Sequence, residues 1–351
     1  MSHRFATASA GALLLCVFAA SAAAQDGMSY WLSPRMGGRS AEVSYDGRFY
    51  DKQGVDDTDS TLRLMRQTLA LSIPLHPAVP AQVEDEKPDA DPDAAEAGQG
   101  PADEWTLGLG LDSMTLGTDV RLPDTGAPLP DGFYDPSVRL TYRRRTERGQ
   151  VWGGTVTIHS PSDDPFHTVD EWAVNASGFA RLPRGEHDAW VLMANLSTTR
   201  DIAPGIPLPG AGYLYEKGRD TFMVGVPFSF ARWSPADGVT LSGFYRFPRT
   251  IHAEAAYAIA DGLDVYAGFD WSHSAWFRAD RRDDDERLFY YEKRAAAGVR
   301  WDVAERVDLD LSGGWAFDRL FFEGDDWDDR TDDRLDVDDG PFMMLRIRIR
   351  L

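Results

Sequence analysis

The sequence predicts an all-β chain folded as a transmembrane, antiparallel, up-and-down β-barrel of about fourteen strands, or twelve if the hairpin at 248–250 is miscounted or the weak segment 168–181 is not a strand. Three observations predict it. After residue 24 no run of about eighteen apolar residues exists, so no helix is available to cross a membrane. Apolar and polar side chains alternate in segment after segment, down to Met343, Leu345, Ile347, Ile349 and Leu351 interleaved with Arg346, Arg348 and Arg350. The polar face is repeatedly charged while Trp and Tyr gather near segment ends, as at Trp105, Trp152, Trp190, Tyr257 and Trp301. A soluble β-sandwich would instead bury one face of each strand and scatter its aromatics.

The chain opens with a signal-peptide pattern over residues 1–24: Arg4, an apolar stretch at 11–20, and Ala22-Ala23-Ala24 before Gln25. Cleavage there leaves an N-terminal periplasmic segment, 25–39, and the barrel, 40–351. The one cysteine, Cys16, lies inside the signal, and Leu15 occupies the place where lipoprotein processing needs a small residue. The mature chain is therefore expected to contain neither disulfide nor thiolate site.

The first strand, 40–50, sets Val43, Tyr45 and Phe49 against Glu42, Ser44, Asp46 and Arg48. The second, 61–75, carries Leu62 and Leu64 and then Leu69, Leu71 and Ile73, a change of phase that predicts a β-bulge near 65–67. Next come 105–116, with Trp105, Leu107, Leu109 and Leu111 outward, and 133–145, with Val138, Leu140 and Tyr142 opposing Arg139, Thr141 and Arg143. Segments 151–159, 168–181 (the weakest) and 189–199 follow. One long strand is expected at 221–233, with Phe222, Val224, Val226, Phe228 and Phe230 on one face. Segments 239–247, 251–259, 263–278, 288–303, 307–322 and 341–351 complete the set. Short and long connections alternate, as periplasmic turns and surface loops should. Two break the rule: 248–250 is short where a surface loop belongs, and 76–103 is long on the periplasmic side.

The formal net charge of −21 is concentrated. Residues 82–104 hold nine acids against one lysine, and 323–339 hold ten acids against two arginines. The first stretch lies in an insert, 76–103, too poor in bulky apolar groups to fold, and reads as a solvated, disordered spacer. The second reads as a surface loop where divalent cations could bridge aspartates and lipopolysaccharide phosphates. It is not an EF-hand loop, because Arg334 stands two positions before Asp336.

The candidate site residues are charge rows on the inward faces: Arg139 and Arg143; Arg294 and Arg300; Arg346, Arg348 and Arg350; and the acids Asp308 and Asp310. If the first and last strands close the barrel, Glu42 and Asp46 flank the terminal arginines on the other side. Such rows either stiffen the lumen as ion-pair ladders or line a pore and bias what passes. The stretch 201–220 is too apolar for an exposed loop and too rich in proline for a strand. It is the candidate constriction, carrying Ile206, Leu208, Tyr213 and Tyr215 inward or over the rim.

Nothing points to catalysis, a cofactor or a metal. His159-Ser160 and His273-Ser274 are adjacent, so in a strand their side chains take opposite faces and cannot form a nucleophile and its base. His167 beside Asp163, Asp164 and Asp170 is the best acid–base cluster, on an expected surface loop. The acidic balance argues against nucleic acid.

Pro207-Leu208-Pro209-Gly210, then Gly225-Val226-Pro227-Phe228 with Arg232-Trp233-Ser234-Pro235, and the hairpin from Tyr257 to Tyr266 resemble the bacterial outer-membrane β-barrels catalogued as domain of unknown function 6268. The resemblance spans residues 40–351 apart from the acidic insert. It implies an outer-membrane barrel with no catalytic residues to carry over. The expected protein is thus a monomer in the outer membrane of a Gram-negative bacterium. It would touch outer-membrane lipid, lipopolysaccharide and the barrel assembly machinery, with no cofactor. Its expected role is a passive channel or small-solute transport protein, the alternative being a structural or surface-interaction barrel without a conducting pore.

Overall fold

The computed structural model describes residues 32–34, 36, 40–76, 101–200, 203–247, 250–327, 330 and 332–351. The signal segment 1–24, most of 25–39 and the body of the acidic insert lie outside the described residues. The first half of the chain forms β1 (Glu42–Tyr50), β2 (Gln53–Gly54), β3 (Thr61–His76), β4 (Ala102–Gly117), β5 (Gly132–Arg145), β6 (Val151–His159), β7 (Ala173–Pro183), β8 (Asp188–Ser197) and β9 (Leu208–Lys217). The second half forms β10 (Asp220–Val226), β11 (Phe228–Ala236), β12 (Val239–Arg246), β13 (Thr250–Ala260), β14 (Leu263–Trp276), β15 (Arg287–Ala304), β16 (Val307–Gly324), β17 (Asp332–Val337) and β18 (Gly340–Arg350).

Each barrel strand pairs antiparallel with its neighbours in the chain, and β18 closes the ring on β1 from Glu42 opposite Arg350 to Tyr50 opposite Phe342. The described residues thus form a closed barrel of sixteen strands, with β2 and β17 as short additions above the ring. The start of β1, the end of β18 and turns such as 218–219, 261–262 and 305–306 share one rim, here the terminal rim. The opposite one is the far rim.

The two faces are inverted relative to a soluble protein. Leu69, Leu109, Val138, Val156, Val224 and Leu311 stand outward and exposed, from walls all round the ring. Arg143, Glu292, Arg294 and Asp310, facing the lumen, are buried. An apolar belt of this extent fits hydrocarbon, and closure leaves no strand edge unpaired within it. Aromatic contacts crowd the belt's lower edge: Trp105 to Tyr142 (4.7 Å between centroids), Tyr142 to Trp152 (5.7 Å) and Trp190 to Tyr213 (5.2 Å). The chain is an outer-membrane-type transmembrane β-barrel.

Sixteen strands correct the expected fourteen, and one region accounts for the difference. The expected long strand 221–233 is a hairpin: Pro227 turns the chain, and Thr221 pairs with Arg232 and Met223 with Phe230. Val224 and Val226 therefore face outward while Phe228 and Phe230 are buried inside. A run of apolar residues at one parity concealed the turn. The second missed strand is β9, inside the stretch 201–220. Its prolines sit where the ladder tolerates them, Pro207 ahead of the strand and Pro209 next to its start. The weak segment 168–181 is a true strand from Ala173, after a single 3-10 turn at Val169–Glu171. The short connection at 248–250 is equally real, since Arg246 pairs with Thr250 and Val239 with Tyr257.

The bulge expected near 65–67 is absent, because β3 pairs continuously with β1 and with β4 through that stretch. Leu62 and Leu64 simply face inward, into an apolar cluster at the far end, while Leu69 faces lipid. The insert is shorter than 76–103, since His76 ends β3 and Ala102 begins β4.

Wall height is uneven. Strands β15 and β16 have 18 residues each, whereas β10 has 7. Where the walls are tall they meet across the lumen: Phe133 of β5 packs on Trp276 of β14 at 5.6 Å, although these strands are nearly opposite in the ring. Leu64, Met114, Leu288 and Phe321 join this cluster, and Val120, Leu122 and Leu129 enter it from the loop between β4 and β5. The far mouth is pinched by burial of apolar surface.

Candidate functional site

Below the pinch the lumen is polar along the seam side, β13 to β1. A cavity of about 1050 Å³ opens toward the terminal rim, lined in part by Asp46, Arg232, Glu254, Arg300, Asp310 and Arg346. At the seam, Arg346 lies 2.7 Å from Asp46 on β1 and 3.5 Å from Asp310 on β16. Arg348 lies 3.5 Å from Glu42, and Arg350 2.5 Å from Asp308. Arg300 reaches Glu254 at 3.1 Å and Asp310 at 3.6 Å, and Tyr266 donates its hydroxyl proton to Asp310 at 2.7 Å. These contacts join β13 to β1 along the inner wall. Asp310 serves three strands at once, because lumen-facing residues recur at every second position and directly opposed pairs are flanked by diagonal ones.

Higher up, pairing leaves the wall and crosses the lumen. Glu292, 1% exposed, accepts from the hydroxyls of Tyr50 (2.6 Å) and Tyr290 (3.1 Å) and is paired with Arg294 (3.0 Å) and Arg48 (3.9 Å). Arg294 also approaches Asp270 (3.7 Å), which holds Nδ1 of His252 at 2.9 Å. Arg66 of β3 pairs with Asp112 (2.8 Å) and donates to Ser274 of β14 (3.5 Å), across the ring. Alternation marks Glu292, Asp270 and Arg66 as inward, but not that they meet; only closure sets strands distant in sequence face to face.

The remaining wall, β5–β9, mixes polar groups with buried apolar ones. Arg139 is exposed inside the lumen, its Nε donating to Thr157 at 3.2 Å. Thr141 meets Thr155 at 3.1 Å, and Asn195 donates to Ser177 at 2.7 Å. His159 has both ring nitrogens engaged, Nδ1 with Asp135 at 2.9 Å and Nε2 with the Asn175 amide at 2.7 Å. That leaves it no free nitrogen to activate a nucleophile. Arg143, 0% exposed, pairs with Glu104 at 3.5 Å and donates to the carbonyl oxygen of Ser33 at 2.5 Å.

Two of the four expected constriction residues, Tyr213 and Tyr215, do not enter the lumen. Ile206 is exposed in the far-rim loop, and Leu208 is buried at the head of β9. Tyr213 and Tyr215 face outward, against Trp190 and Phe222. The apolar side chains that enter the far mouth come from the loop between β4 and β5 instead. That loop is tied down by the acidic segment: Asp333 Oδ1 accepts from the backbone amides of Asp124 (2.6 Å) and Thr125 (2.9 Å). A second strap crosses the mouth, where Phe277 donates to the carbonyl oxygen of Pro161 at 2.7 Å and Ala279 to Asp163 at 2.7 Å. His167 sits on this strap, exposed, 3.1 Å from Asp164. Above the membrane belt, burial pushes the Glu323 carboxyl up to about 7 although its partner Arg278 pulls the other way.

No family model matches the chain, and no curated protein does. Among solved structures, it is similar to an outer membrane channel from Pseudomonas putida F1, at 14% identity over 92% of this chain and 98% of that one, with a TM-score of 0.34. It is also similar to OccK7 of Pseudomonas aeruginosa, at 10% identity over 89% and 99%, TM-score 0.35. A third is the β domain of the Bordetella autotransporter BrkA, at 10% identity over 88% and 99%, TM-score 0.28.

Proposed function

We propose that this chain is an outer-membrane protein of a Gram-negative bacterium that works as a passive channel or small-solute transport protein. The terminal rim would face the periplasm and the far rim the cell surface. The observation that carries this reading is the wet, charged cavity of about 1050 Å³ in a sixteen-stranded ring. A barrel serving only as a wall could fill its interior with side chains, whereas this one keeps both signs of charge in contact with water. With guanidinium and carboxylate groups on facing strands, the lumen suits small polar or zwitterionic solutes better than apolar ones. Catalysis, cofactors and metals have no part in this reading. It includes a monomer held by lipid and lipopolysaccharide and delivered by the barrel assembly machinery. Kinship with the family of domain of unknown function 6268 rests on the motifs at Pro207, Gly225 and Arg232.

The pinch at the far mouth favours the second reading, a structural or surface-interaction barrel without a pore. Conductance in planar bilayers separates the two. Refolded protein should pass small ions, and Val120→Ser with Leu122→Ser should raise the current by loosening the far mouth. No current at any voltage, from the wild type or from variants loosened at either end, would leave only the structural role.

A further inference from the structure

Not all of the lumen wall is polar. On β6–β12 the inward residues Val151, Phe179, Val191, Leu214, Phe230 and Phe244 form an apolar patch, and each is buried. Facing a water-filled lumen, such a patch stays dry only if something covers it. Its cover comes from ahead of β1: Leu32, 2% exposed, and Met36, 7% exposed, belong to the same cluster. Beside them, Arg143 donates to the carbonyl oxygen of Ser33 at 2.5 Å and Arg145 to that of Pro34 at 2.8 Å. The grip has the two parts that peptide recognition uses elsewhere, charge-assisted hydrogen bonds to the backbone and an apolar surface for side chains.

We propose that this patch, with Arg143 and Arg145, is a peptide seat in the lumen wall, and that the segment carrying Leu32, Ser33, Pro34 and Met36 is its occupant, a removable plug that gates the lumen. The gating half rests on the channel reading; the seat stands without it. The seat interrupts an otherwise hydrophilic wall. On one side lie Arg139, Thr155, Thr157 and Asn195, and on the other the cavity at the terminal rim. Unseating the segment would join the two. Because the segment is tethered to β1, its effective concentration at the seat is high, so the seated state is the resting one.

Two readouts test this on the full chain carrying Cys16→Ser, refolded in detergent. In the first, Leu32→Cys is treated with a membrane-impermeant maleimide. Labelling should be at least tenfold slower in the folded protein than in urea, and faster once Met36→Asp is added. Equal rates folded and unfolded would overturn the seat. In the second, Leu32→Asp with Met36→Asp should raise single-channel conductance several-fold over the wild type, with the heat-modifiable band unchanged. If the wild type conducts and this variant conducts equally, the segment is no plug and the channel reading survives. If neither conducts, nor any far-mouth variant, the channel reading fails and the gate with it, whatever the labelling shows.

Discussion

Glu292 shows why single residues matter in this lumen. It is nearly inaccessible, and four groups converge on it: Tyr50, Tyr290, Arg48 and Arg294. Removing one partner of a buried pair strands the other's charge, at a cost of about 3–5 kcal/mol. Glu292→Ala should therefore lower stability by about that much, read as an earlier midpoint of urea unfolding followed by heat-modifiability on gels. Arg348→Glu is the milder case, since Arg348 and Glu42 are both substantially exposed; it should shift ion selectivity toward cations with a change of about 1 kcal/mol or less. An unchanged reversal potential under a salt gradient would detach the seam from permeation. Glu323 brings pH into play. Its carboxyl titrates higher in the folded rim than its usual 4.5, so the stabilisation it offers is complete below about 4.5 and is lost as pH rises through about 7. Protease nicking of the far-rim loops should accordingly increase between about pH 4.5 and 7.5, and Glu323→Gln should flatten that dependence.

Among the elements, the hairpin β10–β11 and the strand β9 decide the strand count. Here β9 and β10 approach closely where Gly212 opposes Gly225, and a Cβ on Gly225 would lie 2.7 Å from the Gly212 Cα and from the Ala211 carbonyl oxygen. Gly225→Val should force these strands apart and reduce the yield of the compact, heat-modifiable band. Gly225→Ala should do so less. A yield equal to wild type for the valine variant would mean the ladder yields there. The same hairpin explains what periodicity missed. Phe222, Val224, Val226, Phe228 and Phe230 share one parity, but the turn at Pro227 lies between them, so the first three face lipid and the last two face the lumen. Alternation reports parity along a strand and is blind to a tight turn that preserves it. Leu62 and Leu64 misled in the complementary way. Their parity is right for the lumen, and they are apolar because the far end of the lumen is an apolar core.

On the scale of the whole molecule, the uneven wall divides the lumen into regions. Tall strands press together at the far rim, a charged cavity opens at the terminal rim, and a segment from ahead of the ring lies against the low wall. If solute passes, it passes by β5, where Arg139 is exposed inside the lumen. Arg139→Glu should then invert the charge met there and change reversal potential more than Arg348→Glu does. The reverse order would place the path along the β18–β1 seam.

By itself the sequence determined the membrane barrel, its two faces and its inward charges, because a strand between lipid and water must alternate at every second residue. It also placed Asp308, Asp310, Glu42 and Asp46 on the strands beside the terminal arginines. Only the tertiary structure decided that Glu292 meets Arg48, that Phe133 meets Trp276, that the β4–β5 loop enters the far mouth, and that Leu32 lies inside the ring. The physical reason is closure. Contacts along a sheet follow from local register, but contacts across a lumen depend on wall height and on which strands the ring sets opposite one another, and no local pattern of residues records either.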